Sequence, residues 1–274
     1  TSSVTKALLT LDGQLSEHLT STDTLRESDV ALIAEIESLP KPRAFQKDVL
    51  ATAHKRIELS YLVDEYREAK RRANVMDFSD QMAWGAALAA VPDVIESLQQ
   101  RFSVVLLDEY QDTSIAQRDL LQSLFLGCSI SAVGDPAQGI YGWRGAASGN
   151  LTGFLGDFAA PEGPEGGAFS LSVTRRCAPE IIDLAAVVAE EFYSLPDVAK
   201  VVTPLKAAPE NPPGEVTASL YATVEEEIEA LTSRIESEHS SGVPWSKIAV
   251  LVRTGAENRQ LVRSLRAHDI PVEI

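Results

Sequence analysis

The sequence lacks the features that mark disulfide-rich, zinc-binding and membrane-spanning chains. It has only two cysteines, Cys128 and Cys177, which lie in apolar surroundings without the paired spacing of a zinc site. Reduced intracellular thiols are therefore expected. No apolar run approaches the roughly 20 residues that cross a bilayer, and no signal peptide is visible. We expect a soluble, cytoplasmic protein without a membrane partner.

The chain also lacks the basic excess of a general nucleic-acid binder. Its formal net charge is −16 at pH 7, which argues against that class. The charge is uneven, however, because the stretch from Lys41 to Arg72 contains nine basic residues against five acids. This run predicts either a solvated helix face or a face that contacts DNA.

A third absence concerns the binding of nucleotide phosphates. Nowhere does the sequence contain G-x-x-x-x-G-K-[ST], or indeed any Gly-Lys pair. The loop whose backbone N–H groups and lysine hold the β- and γ-phosphates is therefore missing from this stretch. The chain also has no initiating methionine. We therefore expect a piece of a longer protein that does not hydrolyse nucleotide by itself.

What the sequence does contain is a strand–helix–strand pattern. The apolar runs 104–107 and 130–133 are bounded by polar, Gly or Pro residues, as strands buried on both faces are. Between them, a helix predicted over 115–125 has one apolar face, formed by Leu120, Leu121, Leu124 and Phe125. Acidic residues follow the first strand directly. In open α/β sheets, that edge of the sheet is where ligands bind.

Three polar segments are associated with this pattern. They are DEYQDT at 108–113, GDPAQGIYGWRGA at 134–146 and LSVTRR at 171–176. In this order and spacing they resemble the second, third and fourth motifs of the UvrD/Rep group of superfamily 1 DNA helicases. The stretch NVMDFSDQ at 74–81 is similar to the DFxDL signature that precedes them. Read alone, this stretch predicts a helix start capped by Asp77 or Ser79.

The resemblance implies an α/β fold of RecA-like P-loop NTPase lobes with parallel sheets, plus an N-terminal helical subdomain. Residues 1–73 would form the helical subdomain (1B-like). Residues 74–159 would be the C-terminal part of the first motor lobe (1A-like), and residues 168–274 the N-terminal part of the second (2A-like). The Pro- and Gly-rich stretch 160–167 predicts the linker between the lobes.

Two further parts of the chain show clear periodicity. Helices are predicted over 25–39 and 45–72 near the N-terminus, each with an apolar stripe. The C-terminal part alternates strands with helices, which predicts a parallel α/β domain. Its strands are predicted over 169–173, 216–221, 248–252 and 270–274, and its helices over 179–192, from a capping box at Thr223, and over 258–268.

For the nucleotide, the resemblance implies ATP and Mg²⁺ as cofactors. Asp108 would hold Mg²⁺ through water, Glu109 would orient or deprotonate the attacking water, and Gln138 would contact the γ-phosphate. Arg176 would act as an arginine finger from the other lobe. Arg175 stands where the family usually has a tyrosine that stacks on adenine. A guanidinium can also stack on a base, but this departure leaves the nucleotide selectivity open.

For DNA, the resemblance implies an ATP-dependent helicase or translocase that acts on single-stranded and duplex DNA in repair or recombination. Tyr141 and Trp143 would face single-stranded DNA, and core packing is their alternative. Arg144 would either couple nucleotide to DNA by pairing with the acidic motif or form a structural salt bridge.

Two other interpretations of the whole chain remain open. One is a catalytically inactive helicase-like module kept for DNA or partner binding. The complete set Asp108, Glu109, Gln138 and Arg176 argues against such decay. The other is a subunit of a RecB-like helicase–nuclease with repair partner proteins, although no nuclease carboxylate–lysine cluster appears in this sequence.

Overall fold

A computed structural model describes residues 3–41, 43–147, 149–159 and 166–273 of the chain. The chain forms two compact units, Thr1–Pro213 and Gly214–Ile274. The predicted division into 1–73, 74–159 and 168–274 stays a prediction, and its last segment extends across the boundary between these two units. Most of the linker predicted over 160–167 lies outside the described residues, which omit 160–165.

The first unit begins with a helical region made of α1 (Ser3–Glu17), α2 (Thr22–Glu37) and α3 (Ala44–Ala73). The predictions of α2 and α3 are confirmed, whereas α1 was not predicted. Its sequence, rich in Ser and Thr, gives a weak helical signal. The small apolar core between these helices consists of Leu11, Leu15 and Val63, with Leu8, Leu25 and Leu59 packed against it.

The basic residues of α3 point partly inward, where they pair with buried acids of α1 and α2. Arg56 bonds to Asp29, and Arg67 Nε donates to Asp12 Oδ1 at 2.6 Å. Both aspartates are buried. The local basic excess is therefore used in part for internal neutralisation. Apart from Lys70, the other six basic residues of the run are exposed, so the two predicted alternatives, a solvated face or a DNA-contacting face, stay open for them: Lys41, Arg43, Lys47, Lys55, Arg71 and Arg72.

Lys70 is the centre of the most highly charged of these contacts. Its Nζ lies 3.0 Å from Asp12 Oδ2, 2.9 Å from Asp77 Oδ2 and 2.8 Å from Asp80 Oδ2. Burial alone lowers the pKa of Lys70. Its bonds to Asp80, Asp77 and Asp12 outweigh burial, so the pKa of Lys70 is raised above its ordinary value. The ammonium thereby joins α1 and α3 to the helix that Asp77 caps.

That next helix opens the α/β part of the unit. Here α4 (Phe78–Leu88) and α5 (Pro92–Arg101) precede β1 (Val104–Leu107), α6 (Ile115–Phe125) and β2 (Ser129–Ala132), and α7 (Gly149–Asp157) follows. The Asp77 side chain accepts a bond from Asp80 N, which confirms the predicted cap of α4. The predicted strand–helix–strand order is also confirmed, because β1 and β2 pair in parallel with Leu107 opposite Ala132. The predicted burial of both strand faces is wrong, since Val105 and Ile130 pack on the core but Leu106 on the other face is 78% exposed.

The remaining elements of the first unit are β3 (Val173–Thr174), α8 (Pro179–Tyr193), α9 (Pro196–Ala199) and β4 (Lys206–Ala207). The strands β3 and β4 also pair in parallel. The strand predicted over 169–173 is wrong for all but its last residue. Phe169 and Leu171 are 92% and 84% exposed, and strand propensity yields a strand only where a neighbouring strand accepts its hydrogen bonds.

The second unit packs α10 (Val224–Ser240) and α11 (Gly255–Ala267) around Ile235, Leu261, Leu265 and Ile270. The cap predicted at Thr223 is confirmed, since its side chain accepts a bond from Glu226 N. The strands predicted over 216–221, 248–252 and 270–274 are wrong within the described residues, because none of them forms a ladder. Alternation of apolar and polar residues indicates which side chains are buried, but it does not show that the segment pairs with another strand. Ile248, Val250 and Val252 do pack on this core.

The described residues therefore form a mixed α/β fold with small parallel sheets, β1–β2 and β3–β4. Both cysteines are free. Among the described helices, none combines the length and the apolar character that crossing a membrane requires.

The cluster of Lys70 with Asp12, Asp77 and Asp80 predicts how two substitutions on α3 differ in their effect on stability. Lys70→Met removes the cation and leaves the buried Asp12 carboxylate short of a partner, which should lower the free energy of unfolding by about 3 kcal/mol. Arg71→Met is the matched control. The Arg71–Glu68 pair is exposed, and exposed pairs contribute only about 0–1 kcal/mol. Urea unfolding of both variants measures the difference, and equal losses would contradict a central role for Lys70.

The same cluster sets an acid limit on stability. Burial raises the pKa of Asp77, but bonds from Lys70 and from the Asp80 backbone outweigh it and hold that pKa below its ordinary value. A carboxyl group whose pKa is lower in the folded state stabilises the fold at pH values above its unfolded-state pKa of about 4. This stabilisation is lost as the pH falls through the folded-state pKa. The wild type should therefore lose stability more steeply below about pH 4 than Lys70→Met does.

Candidate functional site

The parallel pairing of β1 and β2 brings two polar segments to one edge of the sheet. The pairing continues beyond the strands, because Val133 N donates to Leu107 O at 2.8 Å and Tyr110 N donates to Val133 O at 3.0 Å. Asp108 and Glu109 therefore leave the sheet beside Gly134. This is the edge at which the sequence predicted a ligand site.

Asp108 and Glu109 are both exposed at this edge. Glu109 N donates to Asp108 Oδ1 at 2.9 Å, which orients the Asp108 carboxylate. Glu109 itself has a left-handed backbone, with φ 51° and ψ 39°. For a residue other than glycine this conformation costs about 1–2 kcal/mol. The other described non-glycine residues with positive φ follow helix ends: Leu19, Asn74 and Asp269. Glu109 is instead strained two residues after the end of β1.

The segment after β2 is ordered by the side chain of Asp135. Its Oδ1 accepts a bond from Ala137 N at 2.9 Å, and its Oδ2 accepts one from Gln138 Nε2 at 2.8 Å. The predicted γ-phosphate contact, Gln138, is thus held by a neighbour in its own motif and is exposed.

Asp135 also affects a residue of α8. Burial, and secondarily the charge of Asp135, raise the pKa of Tyr193.

Three residues without a predicted role hold the site together: Gln111 and Asp112 connect the two segments, and Asn150 joins the first segment to α7. Gln111 is buried and bonds to both Glu109 and the Asp135 backbone. Asp112 Oδ1 accepts a bond from Ile140 N at 3.3 Å. Asn150 is buried and its Nδ2 donates to Thr113 O at 2.9 Å. Membership of the DEYQDT motif was the only sequence signal for the first two, and Asn150 had none.

The aromatic segment after Gln138 lies at the surface. Trp143 is 67% exposed, so in the structure it is not a core residue. The rings of Tyr141 and Trp143 lie with centroids 6.3 Å apart at 52°. The Arg144 guanidinium lies 4.6 Å from the Trp143 ring centroid and 5.2 Å from that of Tyr141. Among the described residues, no ion pair joins Arg144 to Asp108 or Glu109.

The two arginines after β3 are exposed. Arg175 Nε lies 3.2 Å from Glu210 Oε1. The Arg176 backbone N–H donates to Thr174 Oγ1 at 3.3 Å. In the described part of the chain, no hydrogen bond or ion pair joins Arg176 to Asp108, Glu109 or Gln138. The structure therefore brings together the residues after β1 and β2, and it leaves Arg175 and Arg176 apart from them.

Among the described residues, one group of three carboxylates has the spacing of a cation site: Asp12, Asp77 and Asp80. Its cation is supplied by the protein, since Lys70 Nζ contacts all three. This group lies outside the predicted Mg²⁺ site, whose predicted ligand is Asp108.

Comparison with known proteins gives consistent matches. Residues 3–159 match the model of the UvrD/REP helicase N-terminal domain. An ATP-dependent DNA helicase PcrA of Leuconostoc citreum is 30% identical over 210 residues, which are 75% of this chain and 26% of that protein. A PcrA of Staphylococcus epidermidis is 29% identical over 83% of this chain and 29% of its own length. The DNA helicase II of Rickettsia typhi is 40% identical over 36% of this chain and 15% of its own length. The chain thus spans less than a third of the length of these relatives.

The burial of Tyr110, inside the first polar segment, gives a prediction on stability. The side chain is fully buried edge-on against Phe154, and its hydroxyl has no hydrogen-bond partner among the described residues. Burial raises the pKa of Tyr110 to about 12. Because an unsatisfied buried hydroxyl costs about 1–3 kcal/mol, Tyr110→Phe should leave the free energy of unfolding unchanged or raise it.

Tyr110→Ala is the matched comparison, because it also removes the ring. The ring contact and its volume are lost together, so about 3–5 kcal/mol of stability should be lost. Thermal unfolding of the two variants tests both expectations. A clear loss of stability in Tyr110→Phe would show that the hydroxyl is hydrogen-bonded.

Proposed function

The chain belongs to the UvrD/REP helicase family, and from that premise we propose that its full-length protein is an ATP-dependent DNA helicase or translocase. It couples ATP hydrolysis to movement along single-stranded DNA and to unwinding of the duplex. One observation carries the proposal. The acidic pair after β1 and the Gly134–Gln138 segment after β2 share one sheet edge and are hydrogen-bonded to each other through Gln111.

The proposed fold is that of two RecA-like lobes. The parallel β1–α6–β2 unit supports it for the first lobe, since parallel strands joined by a helix are the repeating unit of such sheets. We assign 1–73 to the helical subdomain, 74–159 to the first lobe and 168–274 to the second. In this arrangement the residues after β1 and β2 line the nucleotide cleft.

The proposed chemistry is transfer of the γ-phosphoryl group of ATP to water, which depends mainly on positioning and charge neutralisation. Asp108 is an exposed carboxylate at the sheet edge and suits Mg²⁺, which binds through one or two carboxylates and keeps part of its water. Mg²⁺ neutralises phosphate charge when bound. Glu109 orients the attacking water and accepts its proton. Gln138 contacts the γ-phosphate through its exposed amide.

The proposed roles of the two arginines follow from their place beyond residues 160–167. Arg176 reaches the γ-phosphate when the lobes close, so hydrolysis depends on closure. Arg175 stacks on the base, for which its planar guanidinium is suited. The exposure of both side chains leaves them free of competing buried contacts, apart from the solvent-exposed pair of Arg175 with Glu210.

The proposed DNA contact is the Tyr141–Arg144 segment. An exposed tryptophan beside a tyrosine offers ring faces on which bases stack, and a nearby guanidinium adds charge. Because the chain carries a net charge of −16, such a local site supports DNA binding better than a general basic surface does. We place this motor in DNA repair or recombination, in the cytoplasm where its DNA substrate lies.

An alternative assignment is an inactive helicase-like module, or a helicase–nuclease subunit with protein partners. The strained backbone of Glu109 favours the active motor over the inactive module, because strain is retained where a function needs it.

Glu109→Gln in the full-length protein tests the nucleotide chemistry. The substitution keeps the size of the side chain but removes its charge and basicity, so the kcat of ATP hydrolysis should fall by about 10²–10⁴. ATP and Mg²⁺ binding should stay near wild type. Glu96→Gln on α5, away from the sheet edge, is the control and should hydrolyse normally. Normal turnover by Glu109→Gln would exclude the proposed role of Glu109.

Trp143→Ala tests the DNA contact against a matched control. Loss of one stacking ring should weaken single-strand binding by about 1–3 kcal/mol with little change in melting temperature, because the ring is exposed. Trp84→Ala removes a similarly exposed tryptophan, 62% exposed on α4, and should leave DNA affinity unchanged. Fluorescence anisotropy with a labelled oligonucleotide measures both. Equal effects of the two substitutions would argue against a specific site at Trp143.

A further inference from the structure

Gln111 is a buried side chain whose two polar ends bond to different segments of the site. Only 2% of the residue is exposed. Its Nε2 donates to Glu109 Oε2 at 2.7 Å, and its Oε1 accepts a bond from Asp135 N at 3.1 Å. A neutral amide that donates at one end and accepts at the other can bridge a carboxylate and a backbone N–H. Gln111 is thus the direct link between the acidic pair and the segment after β2.

The space for this link is provided by Gly134. A Cβ at this position would overlap Gln111 Oε1, and it would also lie 3.2 Å from the Gln111 backbone N. The φ angle of Gly134 is not positive, so the backbone conformation does not require glycine. Glycine is required by the close approach of the Gln111 amide. Two separate motifs are therefore matched to each other at this contact.

The link extends to the far end of the second segment. Gln138 Nε2 donates to Asp135 Oδ2 at 2.8 Å, the Asp135 backbone N–H donates to Gln111, and Gln111 donates to Glu109. Gln138 and Glu109 are both exposed, so close packing does not fix the orientation of either side chain. The buried amide between them is the rigid part of the series. It restricts the rotamer of the Glu109 carboxylate.

We propose that Gln111 is a positioning residue for ATP hydrolysis, which holds the Glu109 carboxylate in register with the Gly134–Gln138 segment. This inference rests on the proposed function of Glu109. Gln111 itself touches neither the phosphate nor the attacking water. Gln111 orients the Glu109 carboxylate. Because Gln111 also bonds to the Asp135 backbone, and the Asp135 side chain bonds to Gln138, this orientation depends on the position of Gln138.

The first test is Gln111→Met in the full-length protein. Methionine is similar in length but makes neither bond, so the carboxylate loses its orientation. Misplacement of a reacting group by about 1 Å costs roughly 100-fold in rate, and we expect kcat to fall about 10- to 100-fold. The KM for ATP and the single-strand affinity without nucleotide should stay within about threefold. Gln122→Met is the control, because it removes a comparable amide bond, to Asp157 O, away from the site, and it should keep the wild-type kcat.

A double-mutant cycle separates positioning from a general structural role. If Gln111 acts through the Glu109 carboxylate, Gln111→Met should change single-turnover hydrolysis less than twofold in a Glu109→Gln background. Gly134→Ala, which displaces the same amide, should resemble Gln111→Met, and the two should not be additive. Independent, multiplicative effects of Gln111→Met and Glu109→Gln would overturn the proposal.

A second variant and the comparison with Glu109→Gln make every outcome informative. Gln111→Asn keeps an amide but is one methylene too short to span both partners. It serves as the second variant if Gln111→Met folds poorly, with rates expressed per nucleotide-binding site. A wild-type kcat in Gln111→Met or Gln111→Asn, with Glu109→Gln inactive, overturns this inference alone. Normal hydrolysis by Glu109→Gln instead overturns the proposed function beneath it.

Discussion

The parallel pairing of β1 with β2 is the constraint on which the candidate site depends. Parallel strands cannot be joined by a tight turn, and α6 supplies the crossover between them. Because Leu107 lies opposite Ala132, the chain leaves both strands at the same edge. A shift of one residue would turn every side chain to the other face. Glu109 would then no longer lie within reach of an amide that also contacts Asp135.

Buried charge plays a comparable part in the helical region. The apolar core between α1 and α3 is small, and ion pairs of Arg56, Arg67 and Lys70 with buried aspartates supplement it. Such pairs specify which helix faces meet, because a mismatched face leaves a charge without a partner. They also withdraw basic side chains from the surface of an acidic chain.

Local patterns predicted the elements whose signals lie within a few residues of each other. The bounds predicted for β1 and α6 agree with the structure, and the start of α4 follows its cap at Asp77. The failures have a common cause. The stretches over 216–221, 248–252 and 270–274 have strand composition, but a strand also requires a neighbour that is remote in sequence. Helix α1 was missed because its stabilising contacts, from Asp12 to Arg67 and Lys70, come from residues more than 50 positions away.

The sequence by itself determined the family, the order of the motifs and the residue types available for chemistry, because all three are properties of consecutive residues. Tertiary structure alone decided which of these residues meet. It brought Gln111 to Asp135 across 24 positions and Lys70 to Asp12 across 58. It also buried Tyr110 and left Trp143 exposed. The physical reason is that burial and hydrogen-bond partners depend on the packing of distant segments, about which side-chain periodicity carries no information.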